Sequence, residues 1–138
     1  MQKENVIVVK SFDYAVLVTR TTKFLENKKK EYVISKQLLR AGISIGANIS
    51  EAQQAESSAD FIHKLSVSLK EANECKYWIK LLFATEYIEP SVFHELIKNT
   101  QDIINILVAI IKTSKKNKLI KNVNKTSIKY RSKYHSLI

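Results

Sequence analysis

The segment "ISKQLLRAGISIGANISEA", Ile34 to Ala52, decides the fold that this sequence predicts. Its apolar residues recur in steps of three and four, which is typical of one buried face of an α-helix. The members of this stripe are Ile34, Leu38, Ala41, Ile45, Ile49 and Ala52. Both glycines of the chain, Gly42 and Gly46, also lie here, although each costs a helix roughly 1 kcal/mol relative to alanine. Because the glycines lower the stability of the helix itself, we infer that small side chains are needed here for packing or binding.

Small residues cover one flank of this helix and suggest what the reason is. They are Ala41, Gly42, Ser44, Gly46, Ala47 and Ser50. Small side chains let two helix axes approach closely, so we interpret the flank as a tight seam within the chain; a ligand site is the alternative. Ser44 and Asn48 lie four residues apart on one face, and each is expected to bond across to a neighbouring helix, since buried polar groups need partners.

Helix-terminus signals divide the rest of the chain into three more periodic segments. Ser11 is suited to cap a first helix, and Ser35 is one possible cap of the second. Ser57 and Asp60 have the spacing of a capping box, which predicts the start of a third helix. Pro90 is typical of a first helical residue and opens a fourth helix. Four long periodic segments with short links predict an antiparallel up-down-up-down four-helix bundle of the all-α class.

The predicted boundaries give three parts. Residues 1–10 contain the β-like run Val6–Val9 and are expected to form a short extended arm. Residues 11–117 form the bundle, in which the third helix runs to about Glu86. Residues 118–138 form a basic tail whose composition is compatible with flexibility. The residues expected in the core are Ile45, Ile49, Leu65, Leu69 and Ile79.

Length and composition exclude several classes of protein. A chain of 138 residues that is 45% hydrophobic suits one domain with a single core. Its one cysteine, Cys75, excludes an intrachain disulfide and suits a reducing compartment. The run Val6–Val9 is too short for a signal sequence, and the longest apolar run, Ile103–Ile111, is too short to span a membrane. We therefore expect a cytoplasmic protein with no membrane partner.

Charge is the strongest compositional signal. The net charge is +10, and residues 118–138 contain six cations and no acidic residue. A basic segment with interleaved Tyr130 and Tyr134 is suited to phosphate contact and base stacking; a solvated tail that only keeps the protein soluble is the alternative. The candidate nucleic-acid-binding residues are Lys36 and Arg40 on the second helix, Lys76 and Lys80 on the third, and Lys118, Lys121, Lys125, Lys129, Arg131 and Lys133 in the tail.

Catalytic and metal-binding interpretations find little support, and we expect no enzyme activity, no metal and no cofactor. Asp60 and His63 resemble half of a di-iron motif, but such a site needs a second copy and more carboxylates. Cys75 falls on an apolar stripe, which favours a packed thiol over a nucleophile. Glu71 and Glu74 lie beside Lys70, which favours a surface charge network.

Two stretches carry a family resemblance. In "QLLRAGISIGANISEA", Gln37–Ala52, and "DFIHKLSVSLKEANECKYWIKLL", Asp60–Leu82, the chain resembles the four-helix-bundle proteins encoded in intervening sequences of bacterial 23S ribosomal RNA genes. The matching positions are Gln37, Arg40 displaced by one place, Ser44, Asn48, Ile49 and Glu51, then Lys70, Glu71, Ala72, Glu74, Tyr77 and Trp78. Many members have proline at Gly46 and glycine at Ala52. The resemblance covers about residues 10–115 and excludes the tail.

The resemblance also implies an assembly. The family is similar to the accessory proteins of diversity-generating retroelements, which form pentameric helical barrels and bind nucleic acid, so it implies a homopentamer with a nucleic-acid role. The residues support association independently, because apolar side chains occupy a second face of two helices and exposed apolar patches usually mark interfaces. These side chains are Leu39, Ile43, Trp78 and Leu81. The candidate helix-seam or interface residues are Ser44, Gly46, Asn48, Glu51 and Trp78.

Two functional hypotheses follow, from different classes. The first is a non-enzymatic oligomer that binds RNA or DNA through its basic surfaces and tail. The second is an oligomeric scaffold that binds a protein partner and has no nucleic-acid activity. Salt-dependent retention on RNA separates the two, because phosphate contacts weaken as the salt concentration rises.

Overall fold

The computed structural model describes residues 3–134, which form four helices and no strand. The helices are α1 (Lys3–Lys29), α2 (Val33–Ala52), α3 (Ser58–Ala84) and α4 (Pro90–Tyr134). Each helix packs against its neighbour in the chain, and α1 closes the ring by packing against α4. The predicted all-α up-down-up-down bundle is confirmed. None of these helices combines the length and the apolar content that a bilayer-spanning segment requires.

The core is built from buried residues that alternate in steps of three and four along every helix. We call these positions the bundle seam. They are Ile7, Ser11, Tyr14, Val18, Thr21 and Leu25 in α1; Ser35, Leu38, Gly42, Ile45, Ile49 and Ala52 in α2; Leu65, Ser68, Ala72, Cys75, Ile79 and Leu82 in α3; and Leu96, Thr100, Ile103, Leu107 and Ile110 in α4. An average spacing of 3.5 residues is the pattern of coiled-coil packing, in which neighbouring helices cross at a shallow angle.

The predicted extended arm is wrong, because residues 3–10 belong to α1. Ile7 is buried as the first residue of the bundle seam. Ser11, expected to cap the helix, lies inside it and donates its hydroxyl to the carbonyl oxygen of Val8 at 3.1 Å. β-branched residues favour strands only weakly when tertiary packing competes, and here the burial of Ile7 decides the conformation.

The position of Leu69 also differs from the prediction. Ile45, Ile49, Leu65 and Ile79 are buried as expected, whereas Leu69 is half-buried. The neighbouring Ser68 takes its place in the bundle seam and donates its hydroxyl to the Ile45 carbonyl oxygen at 2.9 Å. A hydroxyl that finds a partner inside a core avoids the cost of burial without a hydrogen bond.

The ends of the inner helices use specific caps. Ser57 accepts a hydrogen bond from the Asp60 backbone N–H at 3.0 Å, which confirms the predicted start of α3. Its end follows a Schellman pattern: Glu86 has φ 66°, and the Tyr87 N–H donates to the Leu82 carbonyl oxygen at 2.9 Å. This turn leads directly into α4 at Pro90, as predicted.

The start of α2 depends on Glu31 rather than on Ser35. The Glu31 carboxylate, which is 6% exposed, accepts hydrogen bonds from the backbone N–H groups of Val33, Ile34 and Ser35 at 3.0, 2.7 and 2.8 Å. It also accepts from the Ser35 hydroxyl at 2.8 Å. Burial raises the pKa of this carboxyl, but the hydrogen bonds outweigh burial and hold the pKa below its ordinary value.

Both glycines of α2 face α1. A methyl group added at Gly42 would lie 2.8 Å from Cγ1 of Val18, and one added at Gly46 would lie 3.4 Å from the Ser11 carbonyl oxygen. The first distance is a clash with a stiff, fully buried side chain, whereas the second is close to an ordinary contact. The two glycines therefore have unequal roles.

We expect Gly42→Ala to lower the free energy of unfolding by about 1–3 kcal/mol, because it overpacks the contact with Val18. Gly46→Ala should change it by less than about 1 kcal/mol, since the gain in helix propensity offsets the tighter contact. Urea denaturation of the two variants beside the parent measures both values. Equal losses at the two positions would contradict this account of the helix contact.

Replacing the Glu31 cap should cost about 0.5–2 kcal/mol at neutral pH, because Glu31→Gln puts an amide donor against the Ser35 N–H. The pKa of Glu31 is lowered in the folded state, so its contribution is present above the unfolded pKa, near pH 4, and is lost as the pH falls through the folded pKa. Urea denaturation at pH 7 and pH 3 should show the variant and the parent converging at acid pH. A difference that stays constant between these pH values would exclude an ionised cap.

Candidate nucleic-acid interface

The last part of α4 leaves the bundle. The bundle seam ends near Ile111, because the next positions in the same register are Ser114, Asn117 and Lys121. From Leu119 to Lys133 every side chain is exposed. We call residues 118–134 the α4 extension; at 1.5 Å per residue it is about 25 Å long. Residues 118–134 of the predicted tail thus continue α4, and residues 135–138 lie outside the described part of the chain.

Four cations of the α4 extension share one side of the helix. They are Lys118, Lys121, Lys125 and Lys129, spaced by three, four and four residues, and we call them the lysine face. At about 100° per residue they fall within a sector of roughly 80°. The sequence from 118 to 134 contains no acidic residue, so no carboxylate of the extension offsets this charge.

The lysine face turns towards the end of the bundle. Lys118 and Lys121 line a surface cleft together with Ser57 and Ser58, at the start of α3. At about 100° per residue the centre of the lysine face lies roughly 20° from the centre of the α4 seam residues, so Lys125 and Lys129 point to about the same side beyond the last packed residues. The α4 extension and the end of the bundle therefore form a concave surface, and Lys118 and Lys121 contribute positive charge to it.

Several apolar side chains lie on the other side of the extension, but Ile128 does not. It is 67% exposed, about 60° from the centre of the lysine face, and shares a surface depression with Lys125 and Lys129. Leu119, Val123 and Tyr130 are 64%, 56% and 65% exposed. They point roughly 120–160° away from the centre of the lysine face. The prediction that Tyr130 shares one binding surface with the lysines is wrong, because the helix places its ring on another side. Arg131 lies outside both sectors, and Lys133 borders the lysine face.

The cations predicted on the bundle do not form one surface. Arg40 bonds to Glu71 at 3.3 Å and also to Glu74, so acids of α3 offset its charge. Lys76 donates to Oε1 of Gln101 on α4 at 2.9 Å. Since Glu74 faces α2 and Lys76 faces α4, these side chains lie on opposite flanks of α3. The other two predicted cations, Lys36 and Lys80, are exposed.

The polar residues predicted at the helix seam bond locally instead of across it. The Ser44 hydroxyl donates to the Arg40 carbonyl oxygen at 2.7 Å, and the Asn48 amide donates to the Ser44 carbonyl oxygen at 2.9 Å. Both bonds stay within α2, so the expectation of partners on a neighbouring helix is wrong. Glu51 does reach another helix, since it pairs with Lys64 of α3 at 3.0 Å.

Trp78 is half-buried on α3. Its ring meets the exposed Tyr77 ring edge to face, with centroids 5.0 Å apart. Its Nε1–H is buried and has no hydrogen-bond partner within the described part of the chain. Gly46, the remaining seam candidate, faces the backbone of Ser11 on α1.

The potentially reactive side chains of the core, Cys75 and Tyr14, are buried and packed. Burial raises the pKa of the Cys75 thiol to about 12, so almost no thiolate is present at neutral pH. The Tyr14 hydroxyl lies 2.6 Å from the Thr100 hydroxyl inside the bundle, and burial raises its pKa as well. Across residues 3–134, no three histidine, cysteine or acidic side chains come together in a way that suits a metal ion.

Comparison with known proteins identifies the bundle but not the extension. No curated protein matches the chain. A solved structure of a protein of unknown function from the S23 ribosomal protein family of Bacteroides thetaiotaomicron is 50% identical, with a TM-score of 0.80; the alignment covers 80% of this chain and 99% of that chain. The family model of the 23S rRNA-intervening sequence protein matches residues 3–109, which ends before the α4 extension. The chain therefore belongs to the 23S rRNA-intervening sequence protein family.

Proposed function

We propose that this protein is a non-enzymatic, cytoplasmic homo-oligomer that binds nucleic acid through the α4 extension. The observation that carries the proposal is the lysine face: four lysines on one side of an exposed helix without an acidic residue on that segment. Contacts of this kind neutralise phosphates and release counterions, which gives affinity without a base code. The bundle would then hold the helix in place rather than supply the main contacts.

The state of the other predicted cations supports this choice of surface. Arg40 is paired with two carboxylates, and phosphate contact there would have to displace both. Lys76 donates to Gln101 of α4, and the exposed Lys36 and Lys80 lie on different helices. The lysine face has no acidic residue within its own helical segment, and it places four of the predicted cations on one side of a helix, whereas α2 and α3 carry two each.

An apolar surface on α1 and α2 supports self-association. Phe12 is 69% exposed, Val9 is 50% exposed and Ile43 is 47% exposed. Val16 and Leu39 are half-buried; by helical spacing Val16 shares a face of α1 with Val9 and Phe12, and Leu39 shares a face of α2 with Ile43. Large exposed apolar side chains in a group usually mark an interface. We propose that copies of the chain meet here; the number five rests on the resemblance to pentameric relatives alone.

Assembly would strengthen binding to a long polyanion. If each copy contributes one lysine face, the second and later contacts are intramolecular, and overall affinity rises without new kinds of contact. The same apolar surface also favours the second candidate function, an oligomeric scaffold whose partner is a protein. The two candidates differ in what the lysine face does, and this difference can be measured.

Reversing charge on the lysine face should weaken binding to RNA and DNA alike. With four phosphate contacts the slope of log affinity against log salt should be about −2.8 to −3.6, and Lys125→Glu with Lys129→Glu should reduce its magnitude by about 1.4–1.8. The matched control is Lys10→Glu with Lys23→Glu, which changes the net charge equally at exposed positions of α1. Fluorescence anisotropy across a salt series measures the slopes.

Two outcomes of that experiment would contradict the proposal. Equal slopes for both double variants would mean that binding follows net charge and not this surface. If the parent binds neither RNA nor DNA near physiological salt, the scaffold function is favoured. Circular dichroism should show unchanged helix content in both variants, because the substituted side chains are exposed.

Self-association should depend on Phe12. Phe12→Ser removes the most exposed aromatic ring of the apolar surface, and the oligomer mass in light scattering should fall at micromolar concentration. Phe24→Ser is the control, since it removes a 51% exposed ring that lies on the other flank of α1, beside Tyr87 and Val92. A monomeric parent would refute self-association, and equal effects of the two substitutions would refute this interface.

A further inference from the structure

We propose that the α4 extension binds double-stranded DNA by lying in its major groove, with the lysine face towards the groove floor and the two phosphate walls. This rests on the proposed nucleic-acid function and narrows it to one class of nucleic acid. Three features of the molecule support this binding mode: the position of Tyr130, the width of the helix relative to the groove, and the exposure of the extension. Each depends on the helical conformation of residues 118–134.

Single strands fit the extension poorly. Proteins that bind single strands combine a cationic groove with aromatic rings on which the bases stack. The α4 extension presents a convex surface and not a groove, and Tyr130 points roughly 140° away from the centre of the lysine face. A strand whose phosphates contact Lys125 and Lys129 therefore cannot place its bases on this ring without passing around the helix.

Between the two duplex forms, only B-form DNA accepts a helix. An α-helix with its side chains is about 10–12 Å across, and the major groove of B-DNA is about 12 Å wide. The major groove of A-form RNA is deep and too narrow for side chains to read. With Lys121 at one edge of the lysine face and Lys129 at the other, the long side chains reach both phosphate walls.

The extension has the access that groove binding requires. Every side chain from Leu119 to Lys133 is exposed. Leu119, Lys121 and Asn122 still line clefts against the start of α3, and Val123–Lys133 continue past these clefts. The bundle end lies beside the same side of the helix, where Ser57 and Ser58 share a cleft with Lys118 and Lys121. If a duplex lies on the lysine face, the DNA phosphate backbone contacts the end of the bundle. This contact limits how far the helix can slide along the groove.

A duplex panel tests the class of nucleic acid. The full-length protein is titrated by fluorescence anisotropy against a DNA duplex of about 20 base pairs, two helical turns, an RNA duplex of the same sequence, and each single strand. We expect the DNA duplex to bind about tenfold more tightly than the RNA duplex, because only B-form DNA admits the helix. Methyl green, which fills the major groove, should compete with the protein, whereas netropsin, which fills the minor groove, should not.

A helix-breaking substitution separates shape from charge. Asn124→Pro keeps every cation of the lysine face but removes a backbone hydrogen bond in the middle of the extension. It should abolish the preference for duplex DNA over duplex RNA. Asn124→Ala is the matched control, since it preserves the helix and should preserve the preference. Circular dichroism reports the helix content of both variants.

The outcomes distinguish this inference from the function on which it rests. Equal affinity for the DNA and RNA duplexes, tighter binding to single strands, or an Asn124→Pro variant that still prefers duplex DNA would each overturn groove binding and leave nucleic-acid binding standing. Competition by netropsin alone would also overturn it. Failure of the full-length protein to bind any of the four probes would overturn both.

Discussion

The alternating spacing of buried residues in four helices is the constraint on which the rest of this structure depends. It decides that residues 3–10 are helical, because Ile7 occupies its first position. It decides that Ser68, and not Leu69, faces the interior. It also decides where the interior stops: beyond Ile111 the same register is filled by Ser114, Asn117 and Lys121. The side of α4 that builds the core thus becomes, without a break, the side that carries the lysine face.

Much of this fold could be predicted from the sequence, and the errors have a common cause. The stripe of α2, the Ser57 cap and the start of α4 at Pro90 are local features, and each was predicted correctly. The extended arm and the core position of Leu69 were wrong, because both depended on residue type alone. Packing between helices decided these positions, and so did a hydrogen bond from Ser68 to Ile45, 23 residues away in sequence. The sequence does not reveal the capping role of Glu31. Its carboxylate accepts hydrogen bonds from the N–H groups of Val33, Ile34 and Ser35, and these groups converge only in the folded turn.

The candidate site was predictable in part for the same reason. Composition identified the tail cations, since a run without acidic residues needs no knowledge of contacts. It could not show that Arg40 is paired with Glu71 and Glu74, because those residues come from another helix. Helical periodicity applied to residues 118–134 would have separated Tyr130 from the lysines. Helical periodicity from residue 3 onward would also have placed Val9 and Phe12 on the exposed face of α1.

Repulsion among the lysines of the lysine face affects the folding of the α4 extension itself. An isolated helix of this length is marginal in water, because its first turn must be nucleated at a cost. Here the packed part of α4 supplies that nucleus, so the extension bears only the cost of propagation. Lys121, Lys125 and Lys129 follow one another at intervals of four, and each like-charged pair opposes the helix by about 0.2–0.5 kcal/mol. A bound polyanion removes this repulsion, so ligand binding and helix propagation in the extension are thermodynamically linked.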